Sequence, residues 1–394
     1  MSLDIQCVDV RLFYIRLVMM KNNVGVLLFL GLILLLTGCR QNNLSRNPDE
    51  KEITFDYAKL VRMWECDGFK KLEIRNPWDT ASLLQTYLLV DKTKEIPSDR
   101  PNGVVVRIPL EKSAVFTTVH CSLVDELGAI NSISGICDLE YITNPVILER
   151  TKNGSITDLG SSMSADIEKL ITVSPDAILL SPFNNSGGHG GLDRLAIPIF
   201  ECADYMESDP LGRAEWIRIY GMLFGKESVA DSIFAQVEQQ YNQIEELSKQ
   251  ESGTSPSLLY GLNNGGSWYI AGGKSYMAKM FASAGAKYIF SETTHAGSEA
   301  FAFETVFDKG YDADVWLFLY GGTADKTYKD LDRFSSFKSY KNRRVFACNT
   351  EKLPYYDVIP FHPERLLNDI YLIAHTEKNE DLIEKLQYYS KLAE

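Results

Sequence analysis

Apolar residues occur along this chain in short runs separated by turns and by stretches with helical spacing. Between Phe55 and Asp91 apolar and polar positions alternate around an Asp67-Gly68 turn signal, which predicts an N-terminal β-hairpin appendage over residues 55–100. From about Val104 the pattern changes, because each short apolar run ends in small or polar residues and a helical pattern follows it. That alternation predicts an α/β layer structure.

The short apolar runs form two blocks with a helical stretch between them. The first block begins with VVVRIPL (104–110) and predicts an N-terminal α/β lobe over residues 101–211. The second predicts a C-terminal α/β lobe over residues 253–394. Residues 212–252 carry apolar positions at helical spacing and almost no strand pattern, which predicts bridging helices. Two lobes on a stiff connector leave a cleft, and clefts at domain boundaries favour ligand binding.

An uninterrupted apolar run of thirteen residues, Val24 to Leu36, lies near the start of the chain. A helix needs about 20 apolar residues to cross a bilayer, so the length is typical of a signal peptide. The run ends in Leu36-Thr37-Gly38-Cys39, which resembles the bacterial lipobox, where the cysteine is acylated and becomes the new N-terminus. Residues 1–39 are therefore predicted to be a signal and lipobox segment, with Cys39 as the lipidation site.

The polar, turn-rich residues 40–54 predict a flexible tether between the lipid and the globular part. We expect the protein to lie in the periplasm or cell envelope, anchored to a membrane through the lipid. The formal net charge of −13 argues against nucleic acid or an anionic membrane surface as a partner. No CxxC spacing occurs, so buried or free thiols are favoured over a disulfide framework at the five later cysteines, Cys66, Cys121, Cys137, Cys202 and Cys348.

Four segments, taken in order, resemble one known family. They are DLGSSMSADIEKLITVSPDAILLS (158–181), WYIAGGKSYMAKMFASAGAKYIF (268–290), FAFETVFDKGYDADVWLF (301–318) and LPYYDVIPFHPERLLNDI (353–370). The family is that of the substrate-binding proteins of ABC importers for iron–siderophore complexes, haem and cobalamin. The resemblance implies the class III periplasmic binding protein fold, in which a single long helix joins two Rossmann-like α/β lobes.

The resemblance also implies partners and a docking surface. Family members dock to a permease through one glutamate on each lobe, and the matching residues are Glu168 and Glu304. We therefore expect an ABC permease dimer with its ATPase as the partner of a monomeric binding protein. The expected ligand is an iron chelate, namely a ferric siderophore or haem, with no resident cofactor and no directly bound metal.

Side chains at the carboxyl ends of the predicted strands would face the cleft. Aromatic rings and scattered hydrogen-bonding groups suit a large, flat chelate with a polar rim. The predicted ligand-binding residues are Thr118, His120, Tyr141, Ser162, Met163, Phe183, Trp268, Tyr269, His295, Ser298, Tyr320, Tyr355 and Tyr356. Thr117, Asp138 and Glu140 lie at the same strand ends. His120 and His295 follow early strands of the two lobes, so they could face each other across the cleft as axial ligands of haem iron or as hydrogen-bond donors to a chelate. The alternative is that each satisfies a loop carbonyl.

Other functions are open at this point. Cobalamin binders of the resembled family carry tryptophans where this chain has Ser162 and Ser298. This difference weakens the hypothesis of a corrinoid ligand, but cobalamin stays the alternative ligand. No nucleophile-elbow pattern or P-loop occurs, so a lipid-anchored hydrolase is a weaker hypothesis, and we predict that the protein is not an enzyme. A surface adhesin with the same fold would need no docking glutamates. No two histidines have a metal-binding spacing.

Overall fold

The computed structural model describes residues 51–79, 81–184, 188–251, 255–264, 266–322, 331, 334–375 and 380–392. The predicted signal and lipobox segment, including Cys39, lies outside the described residues, as does most of the predicted tether. Within the described ranges, no helix combines the length and apolar character needed to cross a membrane. Four of the later cysteines are buried in the folded chain: Cys121, Cys137, Cys202 and Cys348.

The chain first builds an N-terminal sheet in which the strands are neighbours in chain order. Pairing is antiparallel except for the last two strands, which are parallel. The strands are β1 (Lys51–Ile53), β2 (Val61–Cys66), β3 (Phe69–Arg75), β4 (Leu83–Asp91) and β5 (Val104–Ile108). The predicted Asp67-Gly68 turn joins β2 to β3.

This sheet is larger than the hairpin that the sequence predicted. Its first strand falls inside the predicted tether, because residues 51–53 pair with β2. Its last strand falls inside the predicted N-terminal lobe, since Val106 of β5 lies opposite Leu89 of β4 and not in the lobe sheet. The apolar run at 104–110 was correctly predicted as a strand, but its neighbour is decided by tertiary packing.

The first lobe contains a parallel sheet of order β10-β9-β6-β7-β8. All four residues of Ala177–Leu180 are buried, as expected of a strand covered on both faces. The strands are β6 (Ser113–Val115), β7 (Ile133–Ile136), β8 (Thr157–Asp158), β9 (Ala177–Leu180) and β10 (Ile199–Glu201). Connecting helices are α1 (Thr118–Glu126), α2 (Pro145–Lys152) and α3 (Ile167–Val173).

Three helices connect the lobes: α4 (Pro210–Glu215), α5 (Ile217–Phe224) and α6 (Glu227–Gln250). The 24 residues of α6 correspond to about 36 Å of helix. Its buried side chains recur at helical spacing and form one apolar stripe, Ala230, Phe234, Val237 and Tyr241. Gly221 of α5 allows close approach, because a Cβ there would lie 2.5 Å from the Cβ of Ala230.

The second lobe contains a sheet of order β14-β11-β16-β17-β18, parallel except for β18. Its strands are β11 (Ser257–Tyr260), β14 (Lys287–Tyr288), β16 (Val315–Tyr320), β17 (Val345–Asn349) and β18 (Ser390–Lys391). A smaller antiparallel sheet contains β12 (Asn263–Asn264), β13 (Ser267–Ala271) and β15 (Ser298–Ala302). Among the described residues, its α-helices include α7 (Tyr276–Ser283), α8 (Phe303–Gly310), α9 (Lys338–Lys341), α10 (Tyr355–Val358) and α11 (Pro363–His375). Helix α11 of the second lobe packs on α6, so the bridge formed by α4, α5 and α6 contacts the second lobe as well as the first.

Two buried carboxylates attach the N-terminal sheet to the bridge. Glu215, which is fully buried, accepts hydrogen bonds from the backbone N–H groups of residues 56, 57 and 58, each at 2.9 Å. Glu207 accepts from residues 59 and 60 at 2.9 Å and from the Trp216 indole at 3.1 Å. Burial raises the pKa of Glu207. The segment between β1 and β2 is therefore fixed by one acceptor on the first bridge helix, Glu215, and one just before it, Glu207.

We expect Glu215→Gln to lower the free energy of unfolding by about 2–4 kcal/mol, because an amide NH₂ would replace one accepting oxygen and leave a buried N–H without an acceptor. The matched control is Glu246→Gln, which alters an exposed ion pair with Lys249 on α6 and should cost less than about 0.5 kcal/mol. Urea unfolding followed by circular dichroism measures both. Equal effects of the two substitutions would contradict the anchoring role of Glu215.

Candidate functional site

A cavity of about 740 Å³ lies between the two lobes. One wall comes from the loops after β6, β7 and β8, and the other comes from the segment after β17. The first lobe contributes Phe116, Thr117, Thr118, Asp138, Glu140, Tyr141, Thr143 and Ser162. The second contributes Thr350, Glu351, Leu353, Pro354, Tyr355, Tyr356 and Asp357. The volume is within the range of small-molecule sites.

A second cavity of about 540 Å³ adjoins it on the first lobe. The two share Phe116, Thr117 and Ser162 as lining residues. The second cavity is mainly apolar, and it is lined in addition by Met163, Ser164, Ala165, Ile167, Leu180, Ser181, Pro182, Phe183, Gly188, His189, Gly190, Gly191 and Leu192. Together they form one cleft, and apolar surface predominates in the lining of both parts. We call the part between the lobes the polar chamber because its lining includes four carboxylates, and the part on the first lobe the apolar chamber because its described lining includes none.

Asp138 fixes the loops that form the first wall. It follows β7 in a left-handed conformation, with φ of 52°, which is uncommon outside glycine. Its N–H donates to the carbonyl of Gly160 at 2.8 Å, and its carboxylate accepts from the N–H of Ser162 at 2.9 Å and from the Ser162 hydroxyl. Tyr141 donates its N–H to the Asp138 carbonyl at 3.0 Å. One residue thus positions both Ser162 and Tyr141 at the cleft.

Seven predicted ligand-binding residues line the cleft. Thr118, Tyr141, Ser162, Tyr355 and Tyr356 line the polar chamber, and Ser162, Met163 and Phe183 line the apolar one. Tyr141 and Tyr356 remain 67% and 58% exposed, on opposite walls. Such large exposed rings facing a cavity provide contact area for a bound molecule.

Four predicted residues lie outside these two cavities. Tyr269 is exposed on β13, and Ser298 begins β15. His295 is exposed, with its Nε2 atom 3.6 Å from a Glu299 oxygen. Tyr320 ends β16 and its carbonyl accepts from the N–H of Thr350 at 3.0 Å. Their predicted role in binding has no support from the geometry of the described cleft.

His120 does not face the cleft, and the prediction that it pairs with His295 is wrong. It is 1% exposed, and its Nε2 lies 2.9 Å from Asp204 Oδ1 and 2.8 Å from the Tyr220 hydroxyl. Its Nδ1 contacts the Thr117 hydroxyl. Burial opposes the charged imidazolium, but Cys202 and the Asp204 carboxylate outweigh burial and raise the pKa of His120 to about 10. His120 is therefore a structural residue.

Trp268 is also wrongly predicted as a ligand contact, because it is fully buried. Its ring packs against Trp316 and Phe337, with centroid separations of 5.6 and 6.0 Å. Side chains alternate along a strand, so Tyr269 faces outward from β13 while Trp268 faces the core.

Four residues that line the polar chamber were not among the predicted site residues: Phe116, Thr350, Glu351 and Asp357. Glu351 lies two residues after the end of β17, so the rule for strand ends could have found it. Asp357 lies on α10 and accepts a hydrogen bond from Thr143 of the first lobe at 2.8 Å. Its position depends on how the lobes meet, for which the sequence carries no pattern.

The glycine-rich tract at 184–191 contributes to the apolar chamber through the described residues 188–191. His189 in this tract lies with Nε2 2.7 Å from Glu201 Oε1 and Nδ1 3.1 Å from Asp193 Oδ1. The hydrogen bond to Glu201 outweighs partial burial and raises the pKa of His189. Across the described residues, no group of three or more acidic, histidine or cysteine side chains is arranged to hold a metal ion.

The lobes also contact each other beside the cleft through His362, the residue before α11. Its Nε2 lies 2.8 Å from Glu126 Oε1 at the end of α1, and its Nδ1 lies 3.1 Å from Glu364 Oε1. Burial by itself lowers the pKa of His362, but the two carboxylates raise it to about 9.

Comparison with known proteins identifies the family of this chain. A sequence model described as "periplasmic binding protein" matches residues 139–351, which is more than half of the chain. The chain belongs to the periplasmic binding protein family. Members of that family bind solutes. The match includes four of the eight first-lobe residues that line the polar chamber, and it ends within the wall contributed by the second lobe.

Relatives of this periplasmic binding protein include an uncharacterised lipoprotein of Methanocaldococcus jannaschii, 28% identical over 309 residues, covering 74% of this chain and 73% of the relative. Among solved structures, a periplasmic haem-binding protein from Pseudomonas aeruginosa aligns with a TM-score of 0.55 and 13% identity, covering 72% of this chain and 99% of that one. The periplasmic vitamin B12-binding protein BtuF of Vibrio cholerae aligns with a TM-score of 0.53 and 14% identity, covering 69% and 99%. At these identities the structures establish the α/β fold predicted from sequence.

The His362–Glu126 contact predicts a pH-dependent stability. A pKa of about 9 in the folded protein exceeds the ordinary histidine value of about 6.5, so the stabilisation is fully present below about pH 6.5 and is lost as the pH rises through 9. We expect the unfolding free energy of the unmodified protein to exceed that of Glu126→Gln by about 1 kcal/mol at pH 6, discounted for the partial exposure of Glu126, and the difference to shrink by pH 9.5.

Thermal or urea unfolding at several pH values measures this difference. Glu149→Gln, an exposed substitution on α2 of the same lobe, is the control and should show no such pH trend. A difference between the unmodified protein and Glu126→Gln that stays constant from pH 6 to 9.5 would contradict the assignment.

Proposed function

We propose that this protein is the lipid-anchored substrate-binding component of an ABC importer, which captures an iron chelate, either a ferric siderophore or haem, and delivers it to a permease. The main support is the cleft itself, a two-chamber cavity between the lobes with exposed Tyr141 and Tyr356 on opposite walls. Its combined volume accommodates a ligand larger than a metal ion or an amino acid. The bridge of α4 to α6 contacts both lobes, which favours small closing motions over a wide hinge.

Structural relatives support a metal chelate as the ligand class, since one binds haem and another vitamin B12. Cobalamin is the alternative ligand. Ser162, one of the positions where cobalamin binders of the family carry a tryptophan, lines both chambers. Ser298, the other position, lies outside them, and a small side chain at each gives no stacking surface. This favours an iron chelate over a corrinoid.

Docking to the permease dimer is proposed through Glu168 and Glu304. Each is the second residue of a short helix, α3 on the first lobe and α8 on the second, and each is exposed. The helix N-terminus tolerates a carboxylate there without any partner. Two acids at matching positions would steer the encounter with basic groups on a permease and fix the orientation of the binding protein.

A lipid on Cys39 would keep the binding protein close to the permease. The support is the lipobox-like sequence and the relative of Methanocaldococcus jannaschii that is described as a lipoprotein. We propose that the protein acts as a monomer in the periplasm or cell envelope, with the ATPase of the importer on the other side of the membrane.

The docking proposal predicts that Glu168→Arg with Glu304→Arg abolishes iron uptake by cells and leaves chelate affinity unchanged, because both residues lie outside the cleft. Uptake of radioactive iron and equilibrium binding by the variant measure the two effects. A control with the same change of charge, Glu149→Arg with Glu384→Arg, alters exposed residues elsewhere on the two lobes. Normal uptake by the first variant would refute the docking assignment.

The ligand proposal predicts that Tyr141→Ala and Tyr356→Ala each weaken binding of a ferric trihydroxamate or haem about fivefold, through loss of aromatic contact. Tyr311→Ala removes a comparably exposed ring outside the cleft and is the control. Fluorescence titration of the full-length protein in detergent micelles measures the affinities. Equal affinities for all three variants would argue against binding between the lobes.

A further inference from the structure

The polar chamber carries acidic side chains on both walls. Asp138 and Glu140 follow β7 on the first lobe, while Glu351 and Asp357 follow β17 on the second. These are the charged side chains among the described residues that line this chamber. The shape of the chamber, its exposed aromatic rings and the family of the chain make it the candidate binding site. The four carboxylates affect the charge of the ligand that it can accept.

Two of the four carboxylates already have partners, and two are available to a ligand. Asp138 accepts from Ser162, and Asp357 accepts from Thr143. Within the described part of the chain, the exposed carboxylates of Glu140 and Glu351 accept no hydrogen bond. A carboxylate only accepts hydrogen bonds, so its complements are ammonium, hydroxyl and N–H groups.

The lining of the adjoining chamber has no acidic side chain among the described residues. Met163 and Phe183 are 76% and 51% exposed there. A ligand that covers apolar side chains grouped in a cavity removes them from water, and this burial favours binding. Because Phe116, Thr117 and Ser162 belong to both chambers, one ligand can occupy both at once. The cleft therefore matches a molecule with an apolar part and a hydrogen-bond-donating part.

Resting on the proposed function, we infer that the natural chelate carries no net negative charge, and that its ammonium or hydroxyl groups contact Glu140 and Glu351 while its apolar part fills the chamber of Met163 and Phe183. The walls repel anionic chelates, since an anion between acidic walls loses hydration and meets like charge on both sides. A neutral or cationic ferric hydroxamate fits this arrangement. Haem, with its two propionates, and ferric tricatecholates fit it less well.

The inference is tested with three ferric complexes that differ in charge. A linear trihydroxamate with a terminal amine is cationic when loaded with Fe³⁺, its N-acetylated form is neutral and otherwise matched, and a ferric tricatecholate is trianionic. Fluorescence titration of the full-length protein in detergent micelles gives each affinity at low and high salt. We expect the cationic complex to bind most tightly, the neutral one next and the trianionic one most weakly, with salt weakening the cationic complex most.

The double substitution Glu140→Gln with Glu351→Gln keeps side-chain size and removes two charges. We expect it to weaken the cationic complex about tenfold, at about threefold per carboxylate, and to change the neutral complex less than twofold. Glu149→Gln with Glu384→Gln removes two exposed charges away from the cleft and should change neither. Unfolding curves of the two variants should coincide, which separates a binding effect from a folding effect.

The failures of the two proposals are distinguishable. Saturable binding with the trianionic complex preferred, or with affinities unaffected by charge and by Glu140→Gln with Glu351→Gln, overturns the charge inference and leaves the importer proposal standing. Saturation by cobalamin and by none of the ferric complexes overturns the iron proposal and the ferric hydroxamate assignment together. No saturation by any complex overturns the proposed function itself.

Discussion

Three buried carboxylates hold the joint where the N-terminal sheet, the first lobe and the bridge meet, and the geometry of the cleft depends on that joint. Asp204 and Glu215 are fully buried and Glu207 nearly so. A buried carboxylate left without partners would cost several kcal/mol. Each therefore requires a fixed set of donors, and those donors come from three different parts of the fold: the backbone between β1 and β2, the side chains of Arg213 and Tyr220 on the bridge, and His120 on the first lobe.

The need of buried Asp204 for hydrogen-bond donors explains why His120, although near the cleft, is not available to bind a ligand. Burial alone raises the pKa of Asp204, but His120 and Arg213 lower it, so the network is a charged one. Phe361, just before α11, packs against the rings of both His120 and Tyr220, with centroids 6.1 and 5.8 Å away. The second lobe thus rests on the network that connects the first lobe to the bridge. A ligand that drew His120 out would have to break that contact, and the cleft wall is correspondingly fixed.

The order of strands and helices could be predicted from the sequence, because apolar runs and helical spacing are local signals. The partner of each strand could not, as β5 illustrates: its pattern is that of a buried strand, but it pairs with β4 through contacts that only tertiary packing decides. The strand-end rule found Tyr141, Ser162 and Tyr356 because each follows a strand or begins a short helix at the cleft. It failed at Trp268 because adjacent residues of a strand face opposite sides, and an aromatic ring satisfies a core and a binding site equally well.

The charged side chains near the cleft fall into two groups, those that hold the fold together and those that face the cavity. Two histidines of the first lobe are hydrogen-bonded to carboxylates and so help to hold the fold, His120 to Asp204 and His189 to Asp193 and Glu201. Asp138 and Asp357 are likewise used to position loops, one within the first lobe and one across the lobes. The two remaining carboxylates of the polar chamber, Glu140 and Glu351, lie one on each wall and accept no hydrogen bond within the described part of the chain. Because the fold does not use them, their charge acts on whatever occupies the chamber.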